Sequence, residues 1–268
     1  MKISFRPFIL LCLPVLLIAN AVGQVPLRYQ EGTVQGFLIL RSLDDEILAS
    51  GDSVQVARGN RVTINLTFHF KDGSLYEETT VFTQHRNFHL LSDHSVRKGP
   101  SFPKPLDVTI DAVKGQVTVR SLSDEDKEDA KPEHMQLPPN LANGIVSTLL
   151  KNVSPQSTNT TLSMVVATPK PRLVKLVFSS QGEDTFIVAG SKHKATHFAA
   201  KIELGGIAGI VAPVIGKQAP DTHVWIATGE APTFVRLESQ FFENGPIWRI
   251  ELASPTWPQG KEDKEEKK

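Results

Sequence analysis

Hydrophobic and polar residues alternate along much of this chain, with the period of two that is typical of β-strands. The clearest run extends from Val62 to Phe70, where Val, Ile, Leu and Phe take turns with Thr, Asn and His. Asp72-Gly73 follows, and this dipeptide favours a tight hairpin turn. We therefore expect Leu75 to Thr83 to form an antiparallel strand that pairs with Val62 to Phe70, with one face buried and the other exposed to solvent.

Similar segments recur toward the end of the chain. Alternating residues at 106–110 and 117–119 flank a Lys114-Gly115 turn. Further strands are predicted at 174–178, 198–204, 224–227, 234–237 and 248–252. These segments predict a mainly β (α+β) fold of roughly a dozen strands, a large curved antiparallel sheet or open barrel.

One segment has helical spacing instead. Pro138 and Pro139 precede Asn140, a plausible N-cap, and apolar residues then recur from Leu141 to Leu150 with a period near 3.6. Because few of its positions are polar, we expect this single helix to be embedded against the sheet.

The N-terminus has the pattern of a secretory signal peptide over residues 1–23. Lys2 and Arg6 precede a short apolar run, and small residues follow it. The run is too short for a membrane span, so no transmembrane segment is expected after cleavage. Cys12, the only cysteine, leaves with the signal. The mature chain is therefore expected in the periplasm or outside the cell, without disulfides.

The mature chain is expected to form a single β-rich domain over residues 24–258, followed by a charged, disordered tail at 259–268. Two small β-sandwiches, at about 28–122 and 160–255, are the alternative. One sheet makes better use of the helix, which two sealed sandwiches would leave with nothing to cover.

Charge and motifs exclude several functions. Loss of the two basic signal residues leaves 27 Lys and Arg against 29 Asp and Glu, which gives no reason to expect nucleic acid as a partner. No nucleophile elbow, phosphate loop or zinc-protease motif occurs. His193 and His197 are four residues apart in a predicted strand, too far from each other to share an ion. We expect a noncatalytic protein with no metal and no cofactor.

Three short strings carry a resemblance to a family. Thr222–Ile226, Pro232–Val235 and Pro246–Leu252 resemble the closing hairpins of secreted bacterial β proteins classed as a domain of unknown function. Their layout is similar to that of the periplasmic lipoprotein-localisation factors. The resemblance implies a curved antiparallel sheet that wraps a helix and holds acyl chains, with no catalytic residues.

A carrier of this kind needs a concave apolar wall. The candidate wall residues are Trp225, Phe234, Phe241, Phe242 and Trp248. These side chains also suit a second interpretation, in which they simply fill the core between sheet and helix.

The Gly-rich apolar stretch at 205–216 is a candidate flap that closes over a ligand or touches a membrane. Its apolar residues are Ile207, Ile210, Val211, Val214 and Ile215. A buried crossover that packs under the sheet edge is the alternative.

The sequence thus predicts an envelope protein that binds a hydrophobic ligand, a lipid or acyl chain, in a curved sheet. The alternative is a structural or protein-interaction module with a fully packed core, whose partner is another envelope protein. A hydrolase is the third interpretation, and it requires acids that meet across a cleft.

Overall fold

The computed structural model describes residues 23–123, 130–154, 156–157, 159–188, 190–203 and 220–253. These residues form fourteen strands and one helix. The elements are β1 (Val34–Arg41), β2 (Ile47–Arg58), β3 (Arg61–Phe70), β4 (Leu75–His85), β5 (Asn87–Lys98), β6 (Leu106–Asp111), β7 (Gln116–Ser121), β8 (Glu133–His134), α1 (Val146–Asn152), β9 (Thr160–Val166), β10 (Arg172–Val188), β11 (Ser191–Glu203), β12 (Thr222–Ala227), β13 (Thr233–Gln240) and β14 (Ile247–Leu252). The predicted signal peptide up to residue 22, the five flap residues and the predicted tail lie outside the described residues.

All fourteen strands belong to one antiparallel sheet, in the order β8-β7-β6-β5-β4-β3-β2-β1-β14-β13-β12-β11-β10-β9. Each half of the chain is a meander, and the halves meet where Leu38 of β1 pairs with Leu252 of β14. The segments considered as two sandwiches therefore contribute to one continuous sheet. The predicted β3–β4 hairpin is confirmed, with Phe68 opposite Tyr76 and a positive φ of 85° at Gly73.

The sheet is strongly curved, as its core shows. Val117 of β7 and Leu162 of β9 belong to one buried cluster, although these strands are twelve positions apart in the sheet. In a flat sheet they would be roughly 58 Å apart, because neighbouring strands are spaced by about 4.8 Å. The inner face must therefore bend until its two ends meet. A mainly β fold with one curved antiparallel sheet is confirmed.

The inner face holds a large aliphatic core beside α1, which packs on β12 and β13. We call it the helix-covered cluster. Its main members are Val62, Phe82, Ile110, Val117, Ile145, Leu149, Leu150, Leu162, Leu176, Phe178, Phe198, Val224 and Ile226. All are buried, so this part of the inner face is closed.

The helix is shorter than the sequence predicts, and the prediction that Asn140 caps it is wrong. Gly144 has a positive φ of 69°, which interrupts helical geometry, and α1 starts only at Val146. Asn140 instead accepts a hydrogen bond from Ser163 Oγ (3.0 Å) and donates one to the carbonyl of Thr161 (3.1 Å). Residues before the helix therefore dock on β9 rather than extend α1.

An ionic network lies on the outer face where the two halves of the sheet meet. Arg249 Nε contacts Glu238 Oε1 at 2.9 Å, and Arg236 pairs with Glu251. Arg41 Nε reaches Glu251 Oε2 at 3.5 Å. Opposite charges on neighbouring strands stabilise pairing. The network therefore supports the β13–β14–β1 junction.

Candidate functional site

The other end of the inner face is closed by aromatic rings, which we call the aromatic cluster. Its members are Phe70, Tyr76, Phe102, Phe241, Phe242 and Trp248. Trp248 is the centre, with ring centroids of Phe70, Phe102 and Phe242 at 5.3, 5.7 and 5.8 Å. Such spacings are typical of favourable edge-to-face and tilted pairs.

The turn between β13 and β14 places two of these rings. Asn244 has a positive φ of 59°, and the N–H of Gly245 donates to the carbonyl of Phe242 at 3.0 Å. A Cβ on Gly245 would lie 2.7 Å from the Phe242 ring. The turn at Asn244-Gly245-Pro246 thus needs its glycine, because the backbone passes directly under the Phe242 ring.

The β5–β6 loop brings in Phe102. Ser101 donates from its N–H to Ser74 Oγ (2.8 Å) and from its hydroxyl to Asp72 Oδ2 (2.7 Å). The hydrogen bond from Ser101 keeps the pKa of Asp72 below its usual value. These contacts tie the loop to the β3–β4 turn, so that Phe102 is fully buried against Trp248.

The structure brings four of the five predicted wall residues together. Trp248 is buried in this core, and Phe234, Phe241 and Phe242 pack against it half-buried. Sequence reasoning missed Phe70, Tyr76 and Phe102. The alternation that places Phe68 inward also places Phe70 inward, whereas Phe102 lies in a loop and gives no such signal.

Trp225 lies elsewhere, on the outer face of the sheet. Its strand neighbours Val224 and Ile226 point into the helix-covered cluster, so Trp225 points away from it. Its ring stacks on His197 with centroids 4.2 Å apart, and its Nε1 donates to Asp184 at 2.6 Å. The structure therefore does not bring Trp225 into contact with the other four.

The imidazole of His197 also contacts a second histidine, His223, with 2.9 Å between Nε2 and Nδ1. Burial, together with His223, lowers the pKa of His197. This pair comes from neighbouring strands, which sequence spacing does not reveal. Across the described ranges, no three His, Cys, Asp or Glu residues are grouped so that they could hold a metal ion.

A less tightly packed strip, which we call the recess, separates the two clusters. It is formed by Ile64 and Leu66 of β3, Glu78 of β4 and Leu237 of β13, which face inward but remain partly accessible. Ile64 packs against the helix-covered cluster, Leu66 against the core of the aromatic cluster, and Leu237 against both. The inner face thus keeps some accessible apolar surface between the two clusters.

Two inward carboxyl groups lie at the recess: Glu78 forms part of it, and Asp93 is buried on the neighbouring strand β5. Burial raises the pKa of Glu78 to about 8 and that of Asp93 to about 6. Thr80 Oγ1 donates to Asp93 Oδ1 at 2.7 Å. No cation within the described residues forms an ion pair with either acid. Alternation from Phe82 back along β4 would have identified Glu78 as inward-facing.

Arg97 connects this polar strip to the aromatic cluster. Its Nη1 donates to the carbonyl of Phe241 at 2.8 Å, and its guanidinium carbon lies 6.0 Å from the centre of the Phe242 ring. Burial lowers the pKa of Arg97. One side chain therefore holds the β13–β14 turn against β5.

Two further pockets lie away from the aromatic cluster and the recess. One of about 290 Å³ is a broad depression near the end of the β2–β3 hairpin, lined by Val56, Arg58, Arg61 and Thr63. The other, of about 120 Å³, lies at the C-terminal end of α1. None of the five predicted wall residues lines either pocket. Among the described helical residues, no segment has the length and apolar character of a membrane span.

Comparison with known proteins identifies no family for this chain. No family model matches the chain, and no curated protein matches it. Among solved structures, the chain is similar to a β-barrel-like protein of the domain of unknown function DUF1849 from Brucella abortus. The two share 10% sequence identity with a TM-score of 0.44, and the match covers 89% of this chain and 100% of the other. The secretion and the lipoprotein-factor layout expected for this chain stay predictions.

Proposed function

We propose that this chain is a noncatalytic, periplasmic or secreted protein of the cell envelope that binds a lipid or acyl chain against the inner face of its sheet. The proposal depends on one observation above all. Ile64, Leu66 and Leu237 face inward and keep accessible surface between two packed cores. Apolar surface that stays accessible in a concave site favours an apolar ligand.

The aromatic end is the better candidate for entry. Phe241 and Phe242 are only half-buried and belong to a turn, whereas the opposite end is covered by α1 and its neighbours. Turns open more readily than packed elements because fewer buried contacts hold them. An acyl chain would displace these two rings and extend along Leu66 toward Ile64.

Glu78 supplies a polar group for the ligand. With a pKa of about 8, its carboxyl group is mainly protonated at neutral pH and can donate a hydrogen bond. An ester or carboxyl oxygen of a lipid is a matching acceptor. The site therefore favours an acyl ester or a protonated fatty acid over a cationic amphiphile.

Native mass spectrometry of the protein purified from its own envelope tests the proposal. We expect a reproducible lipid mass on the wild-type chain and its loss in Leu66→Trp, which fills the recess. Thr67→Trp is the matched control, because the adjacent residue faces outward and the added ring leaves the recess free. Wild-type protein without bound lipid, or retention of lipid by folded Leu66→Trp, would contradict the proposal.

A second function, a protein-interaction module, is favoured by a different observation. Phe37 on the outer face of β1 is 66% exposed, and Leu43 and Ile47 beyond it are 47% and 38% exposed. Ile47 pairs with Arg41 on the strand that carries Phe37, and an exposed apolar patch of neighbouring side chains is typical of an interface. Crosslinking in intact cells tests it: a defined partner should be lost in Phe37→Ser while bound lipid is unchanged.

A further inference from the structure

The pocket of about 120 Å³ lies between the C-terminal end of α1, strands β11 and β12, and the N-terminal segment around residue 28. Most of its wall is apolar. The apolar lining residues are Leu150, Val153, Phe198, Ile226, Ala227 and Pro232. Arg28 and Lys151 add two cationic side chains to the lining. The pocket therefore combines apolar surface with positive charge.

Hydrogen bonds hold opposite walls of this pocket in place. Asn152 Oδ1, at the end of α1, accepts from the N–H groups of Arg28 (2.8 Å) and Tyr29 (2.7 Å). Asn152 Nδ2 in turn donates to the carbonyl of Thr148 at 2.9 Å. On the other side, the N–H of Thr228 donates to the carbonyl of Lys194 at 3.0 Å. The pocket is thus preformed, which lowers the ordering cost of binding.

One buried hydroxyl group in the wall has no partner. Thr196 is 2% exposed, and its Oγ1 forms no hydrogen bond with any residue that the structure describes. A buried polar group without a partner is costly, so most such groups are satisfied. Because Thr196 lines the pocket, a polar ligand atom there would supply the missing hydrogen bond.

The charged side chains at the pocket carry one positive charge that no acidic side chain balances. Lys151 Nζ already forms an ion pair with Glu31 Oε1 at 2.5 Å. Arg28 has no side-chain partner in the described part of the chain. These three groups therefore carry a local net charge of about +1, which a single carboxylate would neutralise.

We propose that this pocket is a second binding site, for a small monocarboxylate with a short apolar tail. The carboxylate accepts hydrogen bonds from the Arg28 guanidinium and the Thr196 hydroxyl, and the tail packs on Phe198 and Ile226. An engineered cavity of about 150 Å³ holds benzene, so a ligand of about six non-hydrogen atoms fits here. The site shares no residue with the recess and does not depend on lipid binding there.

Isothermal titration of the full mature chain with butyrate tests the assignment. We expect saturable 1:1 binding of butyrate, and binding at least about tenfold weaker for the neutral butyramide, because hydrogen bonds to charged groups are the stronger ones. The same loss of about tenfold is expected for Arg28→Gln and for Thr196→Val. Thr196→Ser keeps the hydroxyl group and should retain binding.

Arg172→Gln is the matched control, because Arg172 is an exposed arginine at the start of β10 and lies outside the pocket lining. It should bind butyrate like the wild type. The comparison of butyrate with butyramide uses wild-type protein only, so it tests carboxylate binding even if a variant does not fold. Absence of butyrate binding, equal affinity for butyramide, or an unchanged affinity in Arg28→Gln would overturn the assignment.

Discussion

The two ends of the inner face are closed in different ways. In the helix-covered cluster, Phe82, Leu150 and Phe178 are each at most 1% exposed, and a helix lies among them. In the aromatic cluster, Tyr76, Phe241 and Phe242 are only half-buried, and residues outside the strands supply three of the six rings. The comparison predicts that the helix-covered end contributes more to stability and that the aromatic end opens more readily.

The chemistry of the two ends agrees with this division. Aliphatic side chains interdigitate at native packing density and tolerate little change of volume. Aromatic rings on turns bury large areas but depend on few backbone contacts, which local opening can break. Between the ends, Glu78 in the recess and the buried Asp93 beside it both have raised pKa values. Three variants, one for each region, test the comparison.

The largest effect is expected for Phe82→Ala in the helix-covered cluster. Phe82 is fully buried, so the substitution removes a ring and leaves a cavity that rigid neighbours cannot fill. We expect a loss of about 4 kcal/mol in the free energy of unfolding, measured by urea denaturation. Phe82→Leu serves as the graded control with a smaller loss. A loss below about 1.5 kcal/mol would mean that this end is not rigidly packed.

The sequence predicts the strands well because each is specified locally. In β3, the alternation from Val62 to Phe68 determines which side chains are buried, and Gly73 determines the turn. The same rule places Trp248 and Ile250 inward. Alternation accounts for Trp248, whereas Phe241 and Phe242 lie outside the strands and join the same core through the β13–β14 turn. Their role in ligand binding stays a prediction.

Other features depend on contacts between distant parts of the chain, which local patterns do not encode. The predicted helix ends within two residues of the observed end at Asn152. Its start is shifted because Asn143 forms hydrogen bonds with Val165 of β9 and Gly144 adopts a positive φ. A Cβ on Gly144 would lie 2.0 Å from Thr80 Oγ1, so β4 also constrains this segment. The pairing of β1 with β14 likewise cannot be predicted from the local alternation of residues.

A smaller effect, dependent on pH, is expected for Glu78→Gln in the recess. Burial raises the pKa of Glu78 from 4.5 to about 8, so the folded chain holds this proton more tightly than the unfolded chain. The wild type must therefore lose stability as pH rises from about 4.5 to about 8. Glutamine does not ionise, so the variant should gain stability over the wild type as pH rises through this range.

Urea denaturation at pH 5 and pH 9 measures this difference, and Glu77→Gln is the matched control. Glu77 is the preceding residue of β4 and is exposed on the outer face. The gain of Glu78→Gln over the wild type should grow between the two pH values, whereas Glu77→Gln should follow the wild type. A gain that is the same at both pH values would mean that Glu78 ionises as an exposed acid does.

The smallest effect is expected for Phe242→Ala in the aromatic cluster. The ring is half-buried and contributes edge contacts to Phe102 and Trp248, so we expect a loss of only about 1 kcal/mol in the free energy of unfolding. The variant should open more often at the β13–β14 turn, because the Phe242 ring and Arg97 together hold this turn in place. This local effect should exceed the effect on the free energy of unfolding. Hydrogen exchange at Gly245, whose N–H bonds the carbonyl of Phe242, should accelerate, while exchange in β3 at Val62 stays close to wild type. If hydrogen exchange at Gly245 and at Val62 accelerates equally, the aromatic end opens only when the whole sheet unfolds. The two ends would then not differ in local opening, which access for a ligand requires.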